Sequence, residues 1–245
     1  MNEKDKHEAV IERYGSHAKG DTPGKAGGLL DMECRTQAKE LGYSSEDLSG
    51  IPEEANMCLG CGVPLFFLSL KEGETILDLG SGGGMDCFVA AKHVGKSGKV
   101  IGVDMTPGMV EKARQNARNG GYSNVEFTLG TLENLPLDDN SVDAIISNCV
   151  LNLVPNKAKA FSEAVRVLRP GGRICISDIV TSGSVSRRLM SLPKAYTACL
   201  SGAIPKKEYL DLMELAGFEE VKVVQEKEWP FFSHFSSIQV TACLK

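Results

Sequence analysis

The segment ILDLGSGGGMD, residues 76–86, constrains the fold of this 245-residue chain more than any other feature. A short apolar run is followed at once by a glycine-rich turn and then by the helical pattern DCFVAAKHVG. Glycines in such a turn let the backbone approach a ligand closely at the carboxyl edge of a parallel sheet. Tight turns alone also require glycine, so the loop by itself is weak support for a binding site.

Strand-like and helix-like segments alternate from residue 75 onward. After TILDLG, the strand candidates are KVIGVDM, VEFTLG, VDAIISNCV and RICISDIV, with helical patterns such as GMVEKARQNARNGG and KAKAFSEAVRVL between them. EEVKVVQE and SSIQVTACLK are further strand candidates near the end of the chain. This alternation predicts an α/β, doubly wound fold, in which a mostly parallel sheet carries helices on both faces.

The chain divides into three segments by pattern. Residues 1–62 have weak periodicity and scattered charge, and only GLLDMECRTQAKELGYS has a helical pattern there, so we expect this segment to form an N-terminal cap. Residues 63–181 contain the alternating elements and are expected to form the ligand-binding core. Residues 182–245 are expected to supply a substrate-site segment and the final strands of the sheet.

Charge and hydropathy limit the class of partner. The chain has 27 Lys and Arg against 32 Asp and Glu, and no basic run, which disfavours a nucleic-acid partner. No apolar run has the length of a membrane span, and the first residues are polar and charged, which disfavours a membrane protein and a secretory signal peptide. We therefore expect a cytoplasmic protein, in which the eight cysteines serve metal binding, catalysis or packing.

An acid at the end of the second strand helps to identify the expected ligand. Asp104 follows the glycine loop by about twenty residues, the position from which a carboxylate accepts hydrogen bonds from ribose hydroxyls. The dinucleotide pattern G-x-G-x-x-G would begin at Gly80, but Met85 stands where its third glycine is required. A nicotinamide or flavin enzyme is therefore the weaker interpretation.

The same residues resemble the class I, Rossmann-like methyltransferases that use S-adenosylmethionine. The family motif D-x-G-x-G matches Asp78, Gly80 and Gly82, the segment TLENLP matches residues 131–136, and the turn LRPGG matches residues 168–172. The resemblance implies S-adenosylmethionine as cofactor. The implied contacts are Asp78, Gly80, Ser81 and Gly82 for its methionine part, Asp104 for the ribose, Met105, Thr131 and Leu132 for the adenine, and Asn148 as a further candidate.

Cys149, in ISNCVLNLVP, lies at the end of the fourth strand, where a methyltransferase holds the acceptor at near-attack distance. A lone cysteine in such a place is more often a packing residue. Trivalent arsenic, however, binds two or three thiolates and keeps a lone pair, and soft thiolates select soft ions. Cys149 and Cys199 are the first candidates for such a site, with Cys34 and Cys61 next, whereas Cys87, Cys175 and Cys243 are expected to be packing residues.

Three segments are similar to the arsenite methyltransferases: LGYSSEDLSGIPEEANMCLGCGVP, SNCVLNLVPNKAKAFSEAVRVLRPGG and CLSGAI. The resemblance implies that arsenite is methylated to methylated arsenicals, with S-adenosylhomocysteine as the second product, in arsenic detoxification. It implies Cys149, Cys199 and Cys61 as arsenic(III) ligands, and Cys34 with Cys61 as a pair that forms a disulfide and exchanges with the active thiols. Cys58, which makes a C-x-x-C with Cys61, stays open as a partner in the disulfide or as a bystander in the loop. The implied partner is a thiol reductant, glutathione or thioredoxin.

Other interpretations of the cysteines stay open. Cys34, Cys58 and Cys61 could bind structural zinc, although strong zinc patterns pair two C-x-x-C units and this chain has one. A class I methyltransferase acting on a small organic acceptor would use the cysteines for packing. A metalloid-binding sensor would hold arsenic without turnover.

Overall fold

The computed structural model describes residues 3–20, 29–182, 202–228 and 234–245. Its helices are α1 (Glu3–Ala18), α2 (Leu29–Leu41), α3 (Met85–Val94), α4 (Pro107–Gly120), α5 (Lys157–Val167) and α6 (Lys206–Ala216). Its strands are β1 (Thr75–Leu79), β2 (Lys99–Asp104), β3 (Val125–Leu129), β4 (Val142–Asn148), β5 (Leu168–Thr181), β6 (Glu219–Glu228) and β7 (Phe235–Cys243). Within these residues no helix is both long enough and apolar enough to cross a membrane.

The described strands form one seven-stranded sheet in the order β3-β2-β1-β4-β5-β7-β6. The first five pair in parallel, whereas β7 pairs antiparallel with both β5 and β6. The strand order reverses between β1 and β4, and in open α/β sheets ligands bind at the carboxyl ends of strands beside such a point. The predicted doubly wound α/β fold is confirmed.

Alternating side chains of the strands feed two hydrophobic clusters, one on each face of the sheet. Ile76 and Ile146 face the cluster that includes residues of α3 and α4, while Leu77 and Ile145 face the cluster that includes residues of α5 and α6. Each of these four side chains is completely buried. The central strands are therefore apolar on both faces, as parallel strands covered by helices on both sides must be.

Local signals explain where the helices begin and end. Pro107 occupies the first turn of α4, and Gly121 ends that helix with a φ of 69°. Asn156 precedes α5, and its side chain accepts a hydrogen bond of 3.0 Å from the backbone N–H of Lys159. These caps satisfy backbone groups that the helices themselves leave without partners.

Two parts of the fold differ from the sequence prediction. Helix α1 was not expected, because its residues are polar and only Val10 among them is buried. The predicted LRPGG turn, residues 168–172, lies inside β5, which begins at Leu168. Backbone pairing explains this extension, since Gly171 N–H donates to Leu244 O at 2.8 Å and Leu244 N–H donates to Gly172 O at 2.9 Å.

Gly102 occupies a place in β2 where a side chain does not fit. An added Cβ would lie 2.6 Å from Phe127 Cδ1 and 2.7 Å from Ser81 Oγ. We expect Gly102→Ala to lower the free energy of unfolding by about 1–3 kcal/mol, because overpacking a filled interior forces neighbours to shift. Urea denaturation measures this change.

Gly15→Ala is the matched control, since its added Cβ would meet only Thr106 Cγ2 at 4.0 Å and alanine favours the helix. An unchanged urea midpoint for Gly102→Ala would contradict the packing described here.

Candidate functional site

A cavity that opens to solvent lies at the carboxyl ends of β1, β2 and β4, with about 1120 Å³ of empty space when the adjoining open solvent is included. The glycine loop from Gly80 to Gly83 forms part of its wall. Side chains from the N-terminal residues cover it, namely His7, Val10 and Tyr14 of α1 together with Tyr43, Met57 and Leu59. Residues of the segment expected to form an N-terminal cap therefore line the cavity.

Backbone hydrogen bonds fix Asp104 against the glycine loop. Gly82 N–H donates to Asp104 Oδ2 at 3.0 Å, and Thr106 N–H donates to Asp104 Oδ1 at 2.8 Å. Gly84, with a φ of 93°, turns the loop into α3 in a conformation that favours glycine. The carboxylate that ends β2 is thereby held at the cavity wall, with Met105 beside it.

Glu133 and three aspartates, Asp78, Asp86 and Asp104, line this one cavity. Burial raises the pKa of all three aspartates, and for Asp78 the negative charge of Asp86 raises it further. The hydrogen bonds that Tyr43 and Asn148 donate to Asp86 partly oppose this rise. No lysine or arginine is among the described residues that line the cavity, so a positively charged ligand would relieve the repulsion.

The residues expected at the adenine end are only partly brought together. Met105 and Leu132 both line the cavity, and Glu133 lines it next to His7, whose Nε2 lies 3.5 Å from the Glu133 carboxylate. Thr131 is not among the described lining residues, and instead it forms an isolated bridge with Asn134.

The backbones of two cysteines are linked through Asn148 at the end of β4, although Cys61 is not among the described residues that line the cavity. Cys149 lines the cavity, and its backbone N–H donates to Ser177 O at 2.8 Å. Cys61 donates its backbone N–H to Asn148 Oδ1 at 3.0 Å. Both cysteines are half-buried and pack against the same small hydrophobic cluster, which includes Leu153 and Phe235. Cys199 lies outside the described residues.

The disulfide differs from the expected pairing. Cys34 is bonded to Cys58, with 5.0 Å between their Cα atoms, so the expectation that Cys34 pairs with Cys61 is wrong. Asn56 explains the choice, because its side chain donates to Cys34 O at 2.9 Å and accepts from Cys58 N–H at 3.2 Å. The bond also removes two of the three thiolates that a structural zinc site would need.

Comparison with known proteins agrees with this geometry. Residues 70–217 match the family described as "Methyltransferase domain". An arsenic(III) S-adenosylmethionine methyltransferase from Chlamydomonas reinhardtii has a crystal structure that superposes with a TM-score of 0.68 at 34% identity, covering 86% of this chain and 72% of that one. This chain belongs to the arsenite methyltransferase family. It therefore has the class I methyltransferase fold.

Curated arsenite methyltransferases are also similar over much of the chain. The protein from Halobacterium salinarum is 42% identical over 90% of this chain, and the human protein is 38% identical over 76% of it. The chain covers 59% and 52% of the length of these two arsenite methyltransferases.

The remaining cysteines of this family member behave as packing residues. Cys87 and Cys175 are completely buried. Burial raises the pKa of the Cys175 thiol to about 12, and burial together with the charge of Asp78 raises that of Cys87. Cys243 is half-buried and donates its thiol to Glu219 O at 3.6 Å. The expected core packing is confirmed for Cys87 and Cys175, whereas Cys243 lies at the edge of the core.

Sequence reasoning missed the buried pair formed by Tyr43 and Asp86. The Tyr43 hydroxyl donates to Asp86 Oδ1 and connects the N-terminal cap to the first turn of α3. Asp86 follows the glycine loop directly, which was the available signal. Tyr43, in contrast, lies 43 residues away in sequence, and no spacing rule connects the two.

Asp178 forms a buried hydrogen-bond network near the end of β5. Its carboxyl is completely buried and accepts hydrogen bonds from Asn152 N–H at 3.1 Å, Asn152 Nδ2 at 2.8 Å and Tyr209 Oη at 3.4 Å. Burial raises the pKa of Asp178 to about 7. Burial, then the charge on Asp178, and to a smaller degree charges on Cys61 and Cys149 raise the pKa of Tyr209.

The raised pKa of Asp178 predicts a pH-dependent stability. Between the unfolded pKa of about 4 and the folded pKa of about 7, the folded state keeps a proton that the unfolded state has lost, so stability falls as pH rises through this window. We expect Asp178→Asn to reduce this fall by up to about 4 kcal/mol. Urea denaturation of both proteins across the window measures it.

Asp138→Asn, which removes an exposed carboxyl, is the matched control. Parallel pH profiles for the wild type and Asp178→Asn would contradict the assignment.

Proposed function

We propose that this protein methylates trivalent arsenic, held by cysteine thiolates, with S-adenosylmethionine as methyl donor. The observation that carries the proposal is the position of Cys149, which lines the acid-lined cavity at the end of β4 while the Cys61 loop is bonded to the preceding residue. Membership of the arsenite methyltransferase family supports the choice of acceptor.

The cavity fits the charge of the proposed cofactor. S-adenosylmethionine carries a sulfonium, an ammonium and a carboxylate group and is positive overall. The buried Asp78 and Asp86 and the partly buried Asp104 line the cavity, with no lysine or arginine among the described lining residues. Opposite charge favours the ionised carboxylates and offsets their burial. Asp78 and the loop from Gly80 to Gly82 would hold the methionine part, Asp104 the ribose, and Met105 with Leu132 the adenine.

When bound, S-adenosylmethionine supplies an electrophilic methyl group and leaves as S-adenosylhomocysteine. The residues of the chain have to position the nucleophilic arsenic, since holding the acceptor in the right orientation provides much of the rate enhancement. Cys149 and Cys61, with Cys199, would bind arsenic and leave its lone pair directed to the methyl group. Each As–S bond replaces an As–OH bond, and the thiol proton leaves with the hydroxide as water.

Methylation raises arsenic formally from +3 to +5, so two electrons are needed to restore the trivalent state. We propose that an external thiol, glutathione or thioredoxin, supplies them. This requires a compartment that keeps thiols reduced, such as the cytoplasm. Cys58 lines the cavity and is bonded to Cys34. We propose that a thiolate of the arsenic site attacks the Cys58 sulfur, forms a new disulfide with it and releases Cys34 as a thiolate.

The direct test incubates the purified protein with arsenite, S-adenosylmethionine and glutathione, and separates arsenic species by chromatography with mass-spectrometric detection. We expect methylated arsenic and S-adenosylhomocysteine to appear together. Cys149→Ser should lower the rate by more than the roughly 10–100-fold loss that is typical when a residue that orients a metal ligand is removed. Cys243→Ser, which changes a half-buried thiol outside the cavity, is the matched control and should retain the rate.

The outcomes separate the alternatives. Full activity of Cys149→Ser would contradict thiolate ligation by this residue. Arsenite binding without consumption of S-adenosylmethionine would favour a metalloid-binding sensor. Methylation of a small organic acceptor that survives loss of both Cys149 and Cys199 would favour packing roles for the cysteines.

The buried carboxyls predict that cofactor binding releases protons. Burial makes Asp78, Asp86 and Asp104 hold protons to higher pH than usual, and a bound cation shifts them toward the ionised form. We therefore expect S-adenosylmethionine affinity to rise with pH. Isothermal titration calorimetry across a series of pH values, in two buffers of different ionisation enthalpy, measures the protons released.

S-adenosylhomocysteine, which lacks the sulfonium charge, is the control ligand and should release fewer protons. Heats of S-adenosylmethionine binding that do not depend on the buffer would contradict charge compensation by these carboxyls.

A further inference from the structure

Asn148 has a side chain whose polar groups are engaged by the protein itself. Its Oδ1 accepts the Cys61 N–H at 3.0 Å. Its Nδ2 donates to Gly62 O at 2.9 Å and to Asp86 Oδ2 at 3.1 Å, with the Tyr43 hydroxyl at 3.4 Å. Sequence resemblance suggested Asn148 as a cofactor contact, but both of its amide hydrogens already have acceptors within the protein.

The loop that carries Cys61 is packed against the ends of β4 and β5. A Cβ added to Gly60 would lie 3.0 Å from Asn148 Nδ2, and one added to Gly62 would lie 2.6 Å from Ser177 Oγ. On its other side, Ser237 Oγ donates to Cys61 O at 2.9 Å. The backbone of Cys61 is thus held at its N–H by Asn148 and at its carbonyl by Ser237.

Asn148, which accepts the Cys61 N–H, directly precedes Cys149 in the sequence. Cys149 has a φ of 59°, in the left-handed region that non-glycine residues rarely adopt, and its N–H donates to Ser177 O at 2.8 Å. Such a conformation persists only where surrounding contacts fix it. One asparagine therefore links the backbones of two cysteines that are 88 positions apart in the sequence.

We infer that Asn148 is a positioning residue, whose amide holds the Cys61 loop beside Cys149 so that both thiolates reach one arsenic atom. This inference rests on the proposed function for its ligand. Only an amide supplies the required acceptor and two donors in one short side chain. An aspartate of the same shape would keep the acceptor, lose both donors and place a second carboxylate against Asp86.

The test compares Asn148→Ala and Asn148→Asp with the wild type in two measurements. Steady-state kinetics give separate KM values for arsenite and S-adenosylmethionine. Phenylarsine oxide, which bridges neighbouring thiols, is then added without cofactor, and the cysteines that it protects from iodoacetamide are identified by peptide mass spectrometry. Before the reaction, the Cys34–Cys58 disulfide is reduced in the same way in all of the proteins.

We expect the arsenite KM to rise by roughly 10–100-fold in both variants, as for residues that orient ligands, while the dissociation constant for S-adenosylmethionine changes much less. Phenylarsine oxide should protect Cys61 and Cys149 together in the wild type, and protection of Cys61 should be lost in the variants. Asn124→Ala is the matched control, because Asn124 also donates to a backbone carbonyl, that of Gly95 at 2.9 Å, outside the cavity.

Unchanged arsenite KM and unchanged joint protection would overturn the inference. Weaker cofactor binding with normal arsenite binding would also overturn it, since Asn148 would then be a cofactor contact. If Asn148→Ala does not fold, Ser237→Ala removes the other hydrogen bond to Cys61 and has to shift the arsenite KM in the same direction. A wild type that methylates no arsenic would remove the proposed function, whereas the protection pattern would still decide the positioning role.

Discussion

The candidate site depends on the common direction of strands β2, β1, β4 and β5. Because these strands are parallel, their carboxyl ends meet at one edge of the sheet, and the order reversal between β1 and β4 opens a crevice there. The residues at or just beyond these ends carry the chemistry: Asp78, Asp104, Asn148 with Cys149, and Asp178. A one-residue slip of a strand would turn each of these side chains toward the opposite face of the sheet.

This shared edge brings several acidic side chains together in one partly buried cavity. Buried carboxyls without a partner are costly, and a protein either keeps them protonated or binds a cation. The hydrogen bonds from Gly82, Thr106 and Tyr43 stabilise individual carboxylates but add no positive charge. The cavity thereby favours a cationic ligand over a neutral or anionic one, independently of any sequence motif.

The sequence predicts the parts of this arrangement that depend on local pattern. The strand, loop and helix around Gly82, the acid Asp104 and the apolar central strands all follow from residues close together in the chain. The cap is different. Helix α1 is polar and buries only Val10, so its position depends on contacts with the cavity and with α4 that no periodicity shows. The same holds for Tyr43, which reaches Asp86 across the fold.

The cysteines show why spacing alone was insufficient. Cys58 and Cys61 form a C-x-x-C pair in sequence, and such spacing suggests one shared role. Cys58 has a φ of 57°, however, and its thiol bonds Cys34, whereas Cys61 is held by Asn148 at the end of β4. Asn56 accepts the Cys58 N–H and donates to the distant Cys34 carbonyl, whereas the distant Asn148 accepts the Cys61 N–H. The role of each thiol therefore depends on the asparagine that fixes its loop, and that depends on the tertiary fold.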